Sequence, residues 1–369
     1  MSKEDKIIPW WTPKIGEREK ELLKTVLDNN FPNEGQFVDL FEKKISGLLG
    51  CKHAIAVTSG TAAIFLALKS LGIGSGDEVV IPDITFIATA NAAEMAGAKP
   101  VLVDIDPKNM NISVESFEKS ITDKTKAVIP VHVSGRASDM ENIMRIAEDN
   151  GIKVVEDAAE AFMSIHKGKY LGTFGQIGCL SFSPNKTITT GQGGIILTDD
   201  DDLFMRLKEL KNQGRRERGT GGDDTHFAVG YNFKMTDLQG ALGVGQLEYL
   251  NERIKRMKKN HKIYAEELKN SGKMSLFEFD IEGGETPQWT DAYSGERDGL
   301  DKYLASRNIH CRRFWLPIHR QAPYKLKDDM FPNSTKMSYK SIWLPSAFTL
   351  ADSDIIKVCE NIKQFFNGG

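Results

Sequence analysis

GTFGQIGCLSFSPNKTITTGQGGIILTDD, residues 172–200, holds two apolar runs on either side of a short polar loop. The runs are GCLSFS (178–183) and GGIILT (193–198), and the loop carries Lys186 among threonines and glycines. Each run is continuously apolar and does not alternate, as expected of a strand covered on both faces. The loop has no room for a crossover helix, so the two strands are either non-adjacent in one sheet or antiparallel. A lysine held between two buried strands is unusual, although a lysine taken alone is most often a solvated surface residue.

Runs of the same kind precede this stretch: HAIAVT (53–58), EVVIP (78–82), KPVLVDI (99–105), KAVIPVH (126–132) and KVVEDA (153–158). Helical patterns lie between several of them, at Thr61–Leu71, Ala88–Ala96 and Met140–Asn150, with Gly151 placed to end the third. Strands alternating with helices predict a doubly wound α/β sheet. Downstream, the pattern predicts a helix over Asp199–Leu210 and a mobile, glycine-rich loop over 211–230. A long helix follows over Asp237–Leu268, and the basic run Arg253–Lys262 reads as its exposed face. The chain divides accordingly into a large domain, 1–249, and a smaller C-terminal α+β domain, 250–369.

The 369 residues suffice for about two domains. Lys and Arg total 48 against 51 Asp and Glu, a net charge of −3. That balance argues against a protein built to coat nucleic acid or an anionic membrane. Cys51, Cys179, Cys311 and Cys359 lie far apart and form no metal-binding or disulfide pattern, which suits a reducing compartment. The polar N-terminus has no apolar signal core, and no run approaches the ~18 apolar residues of a membrane span. The expectation is a cytoplasmic protein.

In doubly wound sheets ligands bind at the carboxyl ends of strands. After HAIAVT come Ser59-Gly60-Thr61 and an apolar helix, a turn that can present backbone N–H groups and a helix dipole to a phosphate. Taken alone it is an ordinary helix cap. After KVVE come Asp157 and Glu160, strand-end carboxylates that can meet a cation; alone they too read as a cap or as solvated charge. After CLSFS comes Lys186. A partly desolvated lysine can act as a nucleophilic amine. One that forms a Schiff base with pyridoxal phosphate needs a carboxylate for the pyridine nitrogen and a cradle for the phosphate. All three parts are present, and the combination is far more specific than any member. Other motifs fail: Gly72-Ile73-Gly74-Ser75-Gly76 has the wrong spacing for a dinucleotide site, and GxxxxGK[ST], HExxH and GxSxG are absent. Arg215, Arg216 and Arg218 form a basic cluster that can meet a substrate phosphate, though such clusters are more often solvated.

These residues resemble the DegT/DnrJ-type sugar aminotransferases, a branch of the fold-type I pyridoxal-phosphate enzymes. The likeness spans nearly the whole chain, from PKIGEREKELLKTVLDNN through AVTSGTAAIFLAL and VVEDAAEA to GYNFKMTDLQGALGVGQLEYL and LPIHRQAPY. It implies a seven-stranded, mostly parallel sheet flanked by helices, with the cofactor, pyridoxal 5'-phosphate, in the large domain. By that resemblance Lys186 is the Schiff-base lysine and Asp157 holds the pyridine nitrogen. Phe86 stacks on the ring, Glu160 lies near it, and Gly60, Thr61 and Ser181 bind the phosphate. Asn232 reaches the phosphate of a neighbouring subunit, which implies a homodimer with shared sites. Lys234 stands where arginine is frequent, and Gln192 where glutamate is frequent. Lysine at 186, where related dehydratases carry histidine, favours transamination.

The reaction the resemblance implies moves an amino group from L-glutamate to a keto sugar. The acceptor class is a nucleotide-linked 4-keto- or 3-keto-6-deoxyhexose for surface polysaccharide or antibiotic sugars. A free keto-inositol, an oxidised deoxyoctulosonate, a dehydratase reaction and a non-enzymatic binding role stand as alternatives. Acceptor-selecting residues are expected in the 211–230 loop, around Trp10 and Trp11, and in CRRFWLPIHRQAPY (311–324), with Arg313 and His319 as candidates.

Overall fold

The computed structural model describes residues 6–217, 224–269 and 271–368. Its strands in chain order begin with β1 (His53–Val57), β2 (Glu78–Pro82), β3 (Lys99–Val103), β4 (Thr125–Val128) and β5 (Lys153–Asp157). A short hairpin, β6 (Ile165–His166) and β7 (Lys169–Tyr170), precedes β8 (Ile177–Ser181) and β9 (Gly194–Thr198). All but the hairpin form one seven-stranded sheet in the order β1-β9-β8-β5-β4-β2-β3. The pairs from β3 across to β8 are parallel. β9 runs antiparallel to both β8 and β1. Of the two arrangements open for the last strands, antiparallel neighbours is therefore the one adopted. Because β1 and β8 share an antiparallel neighbour, they point the same way as β5. The carboxyl ends of β1, β5 and β8 thus lie on one edge.

The helices are α1 (Glu17–Asp28), α2 (Gln36–Leu49), α3 (Gly60–Ser70), α4 (Ala88–Ala96), α5 (Val114–Lys119) and α6 (Met140–Asp149), then α7 (Asp201–Lys211), α8 (Asp237–Leu247) and α9 (Leu250–Leu268). Alternation along β1 shows how they cover the sheet. Ile55 and Val57 face a core with α3, α4 and α7, while Ala54 and Ala56 face one with α1, α2 and α8. α3 is buried from Ala62 to Leu68 without a polar stripe, the signature of a helix inside the protein.

A second sheet holds β10 (Ser275–Leu276), β11 (Thr290–Tyr293), β12 (Arg312–Arg313) and β13 (Ser341–Leu344) in the order β10-β11-β13-β12, all antiparallel. α9, α10 (Arg297–Ala305), α11 (Pro332–Ser338) and α12 (Asp352–Asn367) contribute to the core around it. The N-terminal segment joins this core: Ile8 bridges Ile309, and Trp10 and Trp11 pack within it.

Two expectations are corrected. The helix over 237–268 is two helices, broken at Glu248 and Tyr249. α8 packs between α1 and α2, and α9 leaves it to enter the second core. Arg253 does not belong to an exposed face. It is buried, with Nη1 donating to the Thr187 carbonyl at 3.1 Å and its guanidinium over the Phe348 ring. Among the described residues no helix is long and apolar enough to cross a membrane.

Candidate active site

The shared strand edge opens into a cavity of about 500 Å³. Ser59, Gly60 and Thr61 line it after β1, Asp157 at the end of β5 and Glu160 just beyond it, and Ser181 at the end of β8 and Lys186 beyond it. The second sheet closes it with Trp289, Arg312 and Trp343.

The N-terminus of α3 faces the cavity. Ser59 caps it, its Oγ accepting the Ala62 N–H at 3.1 Å. The packing under this turn leaves no space for side chains. A Cβ on Gly60 would stand 3.0 Å from Ser181 Cβ, and one on Gly194 would stand 2.4 Å from the Ser59 carbonyl oxygen. Free N–H groups of the first turn, with the Thr61 and Ser181 hydroxyls beside them, suit a dianion.

Asp157 lines the same cavity and is 5% exposed. Its Oδ2 accepts the Thr89 hydroxyl at 2.8 Å, and its Oδ1 accepts the Ala159 N–H at 3.2 Å. Burial pushes its carboxyl above the usual range, opposed by those two hydrogen bonds and by the Lys186 charge. Such a group gains most from a cationic N–H donor.

Lys186 Nζ lies 3.3 Å from Glu160 Oε1 and 4.8 Å above the Trp289 ring centre. Burial raises the Glu160 carboxyl as well, with Lys186 the largest opposing influence. Glu160 Oε2 accepts the Ser134 N–H at 2.9 Å. Ser134 is buried and left-handed at φ 54°, a conformation that favours glycine or asparagine over serine. Its carbonyl accepts the Gln288 N–H at 2.8 Å, and its Oγ accepts Trp343 Nε1 at 3.1 Å. Gln288 in turn clamps both neighbours of Lys186. Its Oε1 accepts the Thr187 hydroxyl at 2.7 Å, and its Nε2 donates to the Asn185 carbonyl at 3.2 Å.

An anion cradle, a buried carboxylate and an amine therefore face one space. They fit the phosphate, the pyridine nitrogen and the aldehyde of pyridoxal phosphate, and the two glycines fit backbone that a phosphate approaches closely.

Gly60, Thr61, Asp157, Glu160, Ser181 and Lys186 come together as the sequence suggests. Phe86 lines the same cavity with 54% of its surface exposed. Asn232 is exposed and does not line this chain's own cavity; Lys234 Nζ donates to its Oδ1 at 3.1 Å. Arg313 is a correction: it points away from the cavity and pairs with Asp301 at 2.8 Å. His319 is another. It is fully buried, bonded to Asp83 at 2.6 Å and stacked on Phe331, so it braces the loop after β2. Arg215 and Arg216 pair with Asp224 and Glu209, and Arg218 lies outside the described residues. Trp10 and Trp11 back the cavity wall without lining it; Trp11 Nε1 donates to the Pro184 carbonyl at 3.2 Å. Sequence reasoning missed Thr89, Ser134, Gln288 and Trp289; of the 311–324 segment it did name, Arg312 and Trp315 line the cavity. No local motif marks the first four, since each arrives from a distant part of the chain.

The model of the DegT/DnrJ/EryC1/StrS aminotransferase family matches residues 13–363. The GDP-perosamine synthase of Escherichia coli O157:H7 is 36% identical over 98% of this chain and 99% of its own length. Among solved structures, DesV of S. venezuelae aligns with a TM-score of 0.90 at 27% identity, over 95% of this chain and 94% of its own. The sugar aminotransferase Spr1654 of Streptococcus pneumoniae, described as putative and solved in its PLP form, aligns with a TM-score of 0.93. It is 24% identical, over 98% of this chain and 99% of its own, and at that identity the likeness speaks for the fold.

Proposed function

Since the chain belongs to the DegT/DnrJ/EryC1/StrS aminotransferase family and is a pyridoxal-phosphate-dependent sugar aminotransferase, we propose that it moves the amino group of L-glutamate onto a nucleotide-linked keto sugar, a 4-keto- or 3-keto-6-deoxyhexose. The observation that supports this acceptor class is the full-length identity to a protein named GDP-perosamine synthase. A GDP-linked keto sugar is accordingly the first acceptor to test.

Bound pyridoxal phosphate supplies an aldehyde for amines and a ring that withdraws electrons. The chain's residues do the rest. Gly60, Thr61 and Ser181 hold the phosphate through N–H and O–H donors. Asp157, fixed by Thr89 and Ala159, keeps a proton on the pyridine nitrogen through a charge-assisted hydrogen bond, of a kind generally worth ~1.5–3 kcal/mol. Phe86 offers an aromatic face to the ring. Lys186 Nζ is the base that takes the Cα proton of the amino donor and the acid that returns one in the second half of the cycle. Glu160 sets the resting position of Nζ against Trp289. The working unit is a homodimer in which the exposed Asn232 of one copy completes the phosphate site of the other.

The test is the visible spectrum with pyridoxal phosphate, before and after L-glutamate. The expected result is a visible band that needs Lys186, fades on adding L-glutamate and returns with a GDP-linked keto sugar. Lys186→Ala is expected to lose the band and turnover together. A band that ignores L-glutamate would overturn the donor, and a Lys186→Ala protein with near-normal turnover would overturn the site.

A further inference from the structure

Lys186 stands on the loop between β8 and β9, yet its backbone is held from outside that loop. Gln288, two residues before β11 and only 2% exposed, brackets it. Gln288 Nε2 donates to the Asn185 carbonyl at 3.2 Å. Its Oε1 accepts the Thr187 N–H at 3.2 Å and the Thr187 hydroxyl at 2.7 Å. Among the described residues no other group takes the Asn185 carbonyl or the Thr187 N–H. A donor on one side of a residue and an acceptor on the other is what a paired strand supplies, and a primary amide carries both. The two backbone groups also decide which end of the amide is which, since the carbonyl needs the donor and the N–H needs the acceptor.

The main chain of Gln288 is tied to the same amine by another route. Its N–H donates to the Ser134 carbonyl at 2.8 Å, and the Ser134 N–H holds Glu160, the carboxylate beside Lys186 Nζ. The turn that carries Ser134 lies hard against the segment that carries Gln288. A Cβ on Gly135 would stand 2.1 Å from the Thr286 carbonyl oxygen. The next residue, Trp289, gives Nζ its ring face. Thr187, Ser134 and Gln288 are all buried, so their bonds are made away from competing water. One residue thus fixes the backbone on both sides of the lysine and, through Ser134, the group its amine rests on.

We propose that Gln288 is the positioning residue for proton transfer by Lys186, an inference that rests on the aminotransferase reading above. Lysine has a long, flexible stem. Its amine returns to the reacting carbon in the same geometry only if the backbone it swings from stays in place. Gln288 does not line the cavity and neither gives nor takes the proton, so it acts on the reaction through Lys186.

The experiment compares wild type with Gln288→Met, which keeps the length of the side chain and removes both halves of the amide. With pyridoxal phosphate bound, the readout is the rate at which the visible band fades in L-glutamate and in L-glutamate deuterated at Cα. For Gln288→Met the rate at saturating L-glutamate is expected to fall about 10- to 100-fold, the scale of a misplacement of about 1 Å. The concentration giving half that rate should stay within about twofold of wild type. The deuterium effect should grow, as proton transfer takes a larger share of the rate. Hydrogen–deuterium exchange on the cofactor-free chain is the second readout. Faster exchange is expected in the peptide holding Thr187 and not across the rest of the chain. A variant that keeps the wild-type rate and deuterium effect, or changes only the half-saturating concentration, overturns the proposal. Exchange that rises throughout the chain overturns it too, since that marks a residue serving stability alone. Gln288→Leu replaces the methionine variant, with the same outcomes, if circular dichroism shows that protein misfolded. A wild type whose band answers no α-amino acid overturns the aminotransferase reading and the proposal with it. A wild type that answers while the variant matches it overturns the proposal alone.

Discussion

Asp157 binds its proton more tightly in the folded chain than in the unfolded one, because burial outweighs its two hydrogen bonds. A carboxyl whose pKa rises on folding takes up protons as the chain folds. Its contribution to stability therefore falls as pH climbs from the ordinary carboxylate range towards the raised value. Asp157→Asn removes that term. The cofactor-free variant is expected to melt above wild type at neutral pH, with the gap closing near pH ~4. Calorimetric scans across that range check it, and a gap independent of pH would point to a packing effect instead. The same variant should gain less stability from pyridoxal phosphate than wild type does, since the carboxylate is kept for the cation it meets. Asp157, Lys186 and the Ser59 turn were legible because each follows an apolar run at a strand end, and local pattern carries that much. Arg312 was not. Neighbouring residues of a strand face opposite sides, so choosing between Arg312 and Arg313 requires the parity of β12, a strand of two residues. Gln288 and Ser134 were hidden for a different reason: the bonds of Gln288 to Thr187 and of Ser134 to Trp343 span 101 and 209 residues of chain.

β9 explains why the lysine loop and the phosphate turn meet. Gly194 pairs with Ser181 on one side and with Val57 on the other, so its backbone lies under the Ser59 turn. Gly194→Ala would drive a methyl into the Ser59 carbonyl, a backbone atom with little freedom to yield. The expected outcome is a loss of stability of about 1–3 kcal/mol and weaker binding of pyridoxal phosphate. Denaturant titration and cofactor titration measure the two. A variant that loses stability yet binds the cofactor normally would separate β9 from the phosphate turn. At this scale the sequence announced the strands and most helices between them, because apolar runs and caps are local. The break between α8 and α9 was illegible: apolar residues continue across it, and only packing against two different cores bends the chain there.

Asn232 is exposed and outside its own cavity, while Lys186 is inside. Mixing Lys186→Ala with Asn232→Ala subunits is therefore expected to restore activity, since one site of each mixed dimer would receive both intact residues. Activity no greater than that of the Asn232→Ala parent would show that each subunit works alone. Length indicated two structural units, but not that Ile8, Trp10 and Trp11 would be built into the second. That pairing of Ile8 with Ile309 is a long-range contact without a local signal. It also completes the wall behind Lys186. All five tryptophans of the chain, Trp10, Trp11, Trp289, Trp315 and Trp343, stand in that wall or directly behind it. Indole emission has no other source in the protein, and a yellow chromophore bound beside these rings can take up energy from the long-wavelength side of that emission. The enzyme thus carries its own lamp at the point where its chemistry happens, and filling or emptying the cavity changes the brightness of the whole molecule without a label.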